Sequence, residues 1–218
     1  MNARALAAEA LGTCLLVTAV VGSAIMAQNL TPDGGVLLLA NAIATGAALL
    51  VLITLFAPIS GAQFNPAVSL ILALRRQIPW TACAAFILAQ SGGGVAGTLL
   101  THAMFELPLW QTSSHIRSGG AQYLAEGVAT FGLILTILGG QARGANIAVL
   151  VASYITAAYW FTASTSFANP VMALARSLTD TPSGIRPADA PAFVLAELAG
   201  AVLAMALSGW LFRSPDQT

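Results

Sequence analysis

Charge is scarce in this chain: 7% of its 218 residues are Asp, Glu, Lys or Arg, where a soluble globular domain carries roughly 25%. Together with 57% hydrophobic residues and a mean hydropathy of +0.82, that shortage excludes a water-facing surface and reads as an integral membrane protein. Lysine is absent, and eight arginines balance eight acids. Zero net charge removes the electrostatic footprint that nucleic acid would require, so no such partner is expected. There are two cysteines, Cys14 and Cys83, both inside apolar runs. A reduced, buried structural role is expected for each, with metal or metalloid binding the alternative. The two histidines, His102 and His115, lack a catalytic partner set, Asp/Glu pairs are missing at useful spacing, and no phosphate-binding glycine loop follows a strand. Neither an enzyme nor a resident metal or cofactor is expected. His115 reads as a solvated loop residue, with a pH-sensing gate as the alternative. No cleavable signal peptide is evident, because the first apolar run is long enough to span and holds Glu9.

Six apolar stretches are present: residues 6–27, 36–57, 80–104, 123–140, 147–162 and 190–212. Each approaches the ~20 residues needed to cross the hydrocarbon as a helix, the fifth being the shortest. Residues 31–35 (Thr-Pro-Asp-Gly-Gly) read as a loop, and residues 105–120 form the longest connection. Trp80, Trp110, Trp160 and Trp210 fall near span ends, where amphipathic rings favour the interface. With both termini cytoplasmic, Arg4, Arg75, Arg76, Arg143 and Arg213 lie inside and Arg117, Arg176 and Arg186 outside, a bias of the expected sign.

The chain repeats itself. Ala8-Glu9 and, four residues after the acid, Thr13 are matched by Ala125-Glu126 and Thr130. Asn65-Pro66-Ala67 is matched by Asn169-Pro170-Val171, and the run around Gln90 by the run around Glu197. Three spans per half is odd, so the halves, about 1–108 and 119–214, are expected to be inverted within one domain spanning 1–218. Asn is a strong N-cap and Pro suits the first helical position. Two such caps in matching places therefore predict half-helices that start near the bilayer centre and aim their positive ends at one point. Glycines 92, 93, 94, 97 and 200 would allow close helix packing. A carboxyl inside a span must face the bundle interior with a partner, so Glu9 and Glu126 read as braces for the two loops. Proton-relay groups of a coupled secondary transporter are the alternative.

The Asn-Pro pairs, the paired Ala-Glu motifs, the inverted three-plus-three repeat and the run Ile59-Ser60-Gly61-Ala62-Gln63-Phe64-Asn65-Pro66-Ala67-Val68 resemble the aquaporin and aquaglyceroporin (major intrinsic protein) family along essentially the whole chain. The resemblance implies an all-α membrane protein with six transmembrane helices plus two re-entrant half-helices. It also implies a homotetramer with one pore per subunit, in a bilayer, conducting passively. Asn65 and Asn169 are then the paired amide donors at the pore centre, and Glu9 and Glu126 brace the re-entrant loops.

The sequence departs from that family at the selectivity filter. Where the second signature usually continues Asn-Pro-Ala-Arg, this chain has Asn169-Pro170-Val171-Met172. Met172 thus takes the filter arginine's place, with Thr45, Ala157 and Ser166 counted at the other filter positions. A set without charge or aromatic ring predicts a wide, weakly polar opening that passes neutral solutes bearing several hydroxyls. The alternative is that Tyr159, Trp160 or Phe161 narrows it. Arg176 lies four residues beyond Met172 and shares its helix face. It either lines the outer vestibule or pairs with Asp180. The run from Asn169 to Thr181, followed by Gly184-Ile185-Arg186-Pro187, resembles a bacterial subgroup associated with arsenic resistance. That implies downhill movement of arsenite and related metalloid hydroxides across a bacterial inner membrane. Glycerol, urea and water stay open as solutes, and a water-selective channel stays open as a function.

Overall fold

The structure, a computed structural model, describes residues 2–212. Arg213, counted above among the inside arginines, lies outside the described residues. Eight helices follow in order: α1 (Ala3–Leu30), α2 (Gly34–Ser60), α3 (Pro66–Leu74), α4 (Trp80–Met104), α5 (Gly120–Ala142), α6 (Ile147–Phe161), α7 (Pro170–Arg176) and α8 (Ala190–Leu211). No strand occurs among the described residues. The six long helices sit on the six apolar stretches, and α3 and α7 begin at the two Asn-Pro prolines. Caps account for several boundaries. Side-chain oxygens of Asn2, Asp33 and Asn146 accept from Arg4, Val36 and Val149 N–H, satisfying orphan donors of the first turn. At the other end of α2, Gly61 takes the left-handed conformation (φ 91°) that ends helices at glycine.

α1, α2 and α5 extend two to three residues beyond the predicted spans at both ends, α2 running on through Pro58 to Ser60. α6 is shorter: its 15 residues rise only about 23 Å. The other five are long and apolar enough to cross a membrane.

α1 packs on α4 and α5 on α8 as equivalent pairs of the two halves, while α2 packs on α6 across the seam between them. The small residues permit this. A Cβ on Gly93 would lie 2.2 Å from the Ala10 carbonyl oxygen, and one on Gly200 would lie 2.1 Å from that of Gly127. Both distances are well inside van der Waals contact, so only glycine fits at these crossings. Around the outside, Leu11, Ile43, Leu55, Leu88, Leu195 and Leu203 are exposed. Such a belt is untenable in water and natural in hydrocarbon. Trp80, Trp110, Trp160 and Trp210 are exposed as well.

Candidate functional site: a pore centred on two capped half-helices

α3 and α7 meet end to end in the interior. Asn65 Oδ1 accepts from Ala67 N (2.9 Å) and Asn169 Oδ1 from Val171 N (3.0 Å), so each asparagine caps its own half-helix. The amide nitrogens cross over: Asn65 Nδ2 donates to the Ala168 carbonyl (2.7 Å) and Asn169 Nδ2 to the Phe64 carbonyl (2.9 Å). A carboxamide NH2 carries two hydrogens, so each asparagine retains a second donor. Both side chains stand on the wall of a cavity of about 200 Å³.

The loops ahead of the caps are held by two carboxylates, both fully buried. Glu9 accepts from Ser60 Oγ (2.5 Å), Gln63 N (2.9 Å), Phe64 N (2.8 Å) and Gln90 Nε2 (2.8 Å). Glu126 accepts from Phe167 N (2.9 Å) and Ala168 N (2.8 Å). Turning successive N–H groups onto one carboxylate twists the backbone. Ala62, Phe64, Ser166 and Ala168 take positive φ of 48°, 51°, 53° and 49°, at a cost of order 1–3 kcal/mol each. The carboxylates offset that strain, and residues 61–64 and 166–168 border the cavity.

The rest of the wall is built at four-residue spacing. α1 contributes Leu16 and Val20, and α5 contributes Leu133, Ile137 and Gln141. α2 supplies Thr45, Leu49, Ile53 and Ala57, and α6 supplies Ile147, Val151, Ile155 and Tyr159. One face each of α1, α2, α5 and α6 thus lines a mainly apolar passage, whose polar groups come from the asparagines, the loops and Thr45, Gln141, Tyr159 and Arg176.

Four counted or weighed filter positions, Thr45, Ser166, Met172 and Arg176, are together on this wall. Ala157 is not. It is exposed on the outside of α6, because two residues beyond Ile155 is a turn of about 200°. Tyr159 takes its place, its hydroxyl 3.1 Å from Thr45 Oγ1, while Trp160 and Phe161 face outward. The filter set counted without an aromatic ring is corrected at Ala157, and of the alternatives weighed above Tyr159 and Arg176 stand on the wall. Tyr159, the Phe167 ring and the Arg176 guanidinium all border the cavity. Arg176 is buried, donates through Nε to the Ser183 carbonyl and lies over the Phe167 ring, 3.3 Å from its centroid. It does not pair with Asp180, which instead accepts from Ser114 N and Oγ, both at 2.8 Å. Those two bonds hold the Asp180 carboxyl below the usual carboxylate range. Asp189 is held low as well, chiefly by the Arg186 guanidinium at 2.8 Å.

Arg117, from the 105–119 connection, was not singled out by any motif. It donates to the carbonyls of Gly184 (2.7 Å), Pro182 (3.2 Å) and Ser164 (3.3 Å) and lies 5.2 Å from the Phe167 ring centroid. No periodicity marks a loop residue, so only its sign was legible. Of the histidines, His115 is exposed, whereas His102 is buried between the Leu109 carbonyl and Thr179 Oγ1, both at 2.8 Å. No metal-ligating cluster of three or more His, Cys, Asp or Glu occurs among the described residues.

Residues 1–179 match the family described as major intrinsic protein. The chain is 59% identical over 207 residues to Aquaglyceroporin AqpS of Rhizobium meliloti (strain 1021), across 94% of this chain and 89% of that protein. It is 30% identical over 148 residues to a probable glycerol uptake facilitator protein of Thermotoga maritima, across 61% of this chain and 62% of that one. Among solved structures, the aquaglyceroporin from Plasmodium falciparum shares the fold, with a TM-score of 0.74 over 96% of this chain and 95% of that chain at 21% identity. Crossed Asn-Pro caps, inverted halves and a full-length relative agree, and the chain belongs to the major intrinsic protein family.

Proposed function

We propose that this protein is a passive transmembrane channel for small uncharged solutes bearing several hydroxyls, with trivalent metalloid hydroxides such as arsenite among them. The observation that carries the reading is the crossed asparagine pair. Two amide donors and two half-helix N-termini face one point of an otherwise apolar passage. Donors and positive helix ends suit the oxygens of a neutral solute and oppose cations. Glu9 and Glu126, with backbone donors on both oxygens, serve as loop braces. Thr45, Ser166, Met172 and Arg176 serve as the filter and its outer rim, with Tyr159 in place of Ala157. Ser166 Oγ is buried on the wall without a partner among the described residues, an acceptor and donor suited to a passing hydroxyl. The likeness to an aquaglyceroporin along nearly the whole chain supports the same solute class. We place the protein as a homotetramer in a bacterial inner membrane with cytoplasmic termini, on the family resemblance and the arginine distribution.

Tyr159 and Arg176 favour one second reading, a water-selective channel, because a phenol and a guanidinium on one wall narrow and polarise the opening. Stopped-flow light scattering on reconstituted vesicles separates the two. Shrinkage under an impermeant osmolyte reports water, and re-swelling reports entry of glycerol or arsenite. Re-swelling faster than in protein-free vesicles is expected. Fast shrinkage with re-swelling at the protein-free rate would establish the water channel instead.

A further inference from the structure

The two halves brace their loops with matching pairs, and one member differs. In the first half Gln90 Nε2 donates to Glu9 Oε2 (2.8 Å) and to Ser69 Oγ (3.0 Å). In the second half the position of Gln90 is taken by Glu197, fully buried like its neighbour Glu126. Glu197 Oε1 accepts from Asn169 N (2.9 Å), the backbone of the pore-centre cap itself. Its other oxygen, Oε2, has no donor among the described residues, and the two carboxylates take the N–H groups of consecutive residues, Ala168 to Glu126 and Asn169 to Glu197.

Two ionised carboxylates are acceptors only, so a hydrogen bond between them requires a proton. Two buried like charges held side by side cannot both remain ionised. The donor pattern locates the proton. Both Glu126 oxygens already accept from an N–H group, whereas Glu197 Oε2 has no donor and is the free place for a proton. We infer that Glu197 is a positioning residue that carries a proton on Oε2, donates it to Glu126 and holds the Asn169 N–H with Oε1. The neutral acid then reproduces the Gln90 amide, one donor and one acceptor. Each half-helix is left with one carboxylate, Glu9 or Glu126. An ionised Glu197 would add a second negative charge at the positive end of α7, attracting the cations that end repels.

Infrared spectroscopy of the reconstituted protein at neutral pH, combined with solute flux, tests this. Only the flux arm rests on the channel reading. Wild type should show the carbonyl stretch of a protonated carboxyl group, shifting in deuterated buffer, and Glu197→Gln should lack it. Glu197→Gln should keep glycerol flux within about twofold, since its amide restores both hydrogen bonds. Glu197→Leu should lose about tenfold or more, because the Asn169 N–H and Glu126 are left unpaired. A wild type without the protonated band, or the band persisting in Glu197→Gln, overturns the inference. If Glu197→Leu fails to fold, the infrared comparison of wild type with Glu197→Gln decides alone.

Discussion

Met172 and Arg176 stand one turn apart on the same face of α7, and both reach the cavity. The Arg176 backbone therefore sits about 6 Å further along the axis than the usual filter position, and its guanidinium is stacked on Phe167. Met172→Arg puts a cation at the usual filter position, beside Arg176 on the cavity wall. Glycerol re-swelling should fall by about tenfold or more and water-driven shrinkage by much less; an equal loss of both would mean misfolding or occlusion. Tyr159→Ala should admit larger polyols, whereas Ala157→Leu, on the outer face of α6, should leave vesicle selectivity unchanged. Selectivity that moved with Ala157 instead would restore the counted filter. At the outer rim Asp180 ties the 105–119 connection to the loop after α7 through Ser114. Its carboxyl is held below its ordinary value, so the tie is intact above the ordinary carboxylate range and is lost as pH falls through the depressed one. Hydrogen exchange at the Ser114 amide, corrected for its intrinsic rate, should rise on acidification, and Asp180→Asn should flatten that dependence.

At the scale of helices, much of the architecture was legible because its signals are local. An Asn followed by Pro states a cap and a first turn, and a long apolar run states a span. Motifs repeating at matching intervals state two halves. Helix phase is not local. Whether Ala157 or Tyr159 faces the pore depends on how α6 rotates against α2, and that is set by Gly46, where a Cβ would lie 2.0 Å from Thr156 Oγ1. The four-residue series Ile147, Val151, Ile155, Tyr159 was available in the sequence. Choosing it over the neighbouring series required knowing which face the seam occupies. Arg117 was illegible for a different reason, since its partners are carbonyls 47 to 67 residues away. The glycine crossings give this scale its own test. Gly93→Ala or Gly200→Ala forces α1 from α4 or α5 from α8, and each should destabilise the detergent-solubilised protein by about 1–3 kcal/mol, read as a lowered Tm. A wild-type Tm would mean that the helices cross less closely than described.

For the whole molecule, inversion is what turns two weak elements into one site. A half-helix of seven or nine residues is far too short to cross hydrocarbon. Two of them meeting cap to cap, each hydrogen-bonded to the other's loop, make one polar site on the wall of a mainly apolar passage. Glu9 and Glu126 are committed to loop N–H groups, and among the described residues no carboxylate borders the passage, whose helix faces are mainly Leu, Ile and Val. Passive conduction is therefore the central claim. Its most direct test is uptake of labelled glycerol into reconstituted vesicles with and without an imposed proton gradient. Uptake should be faster than in protein-free vesicles and end at equal inside and outside concentrations, with the same initial rate in both conditions. Accumulation above the external concentration when the gradient is present would make the protein a coupled transporter and contradict that claim.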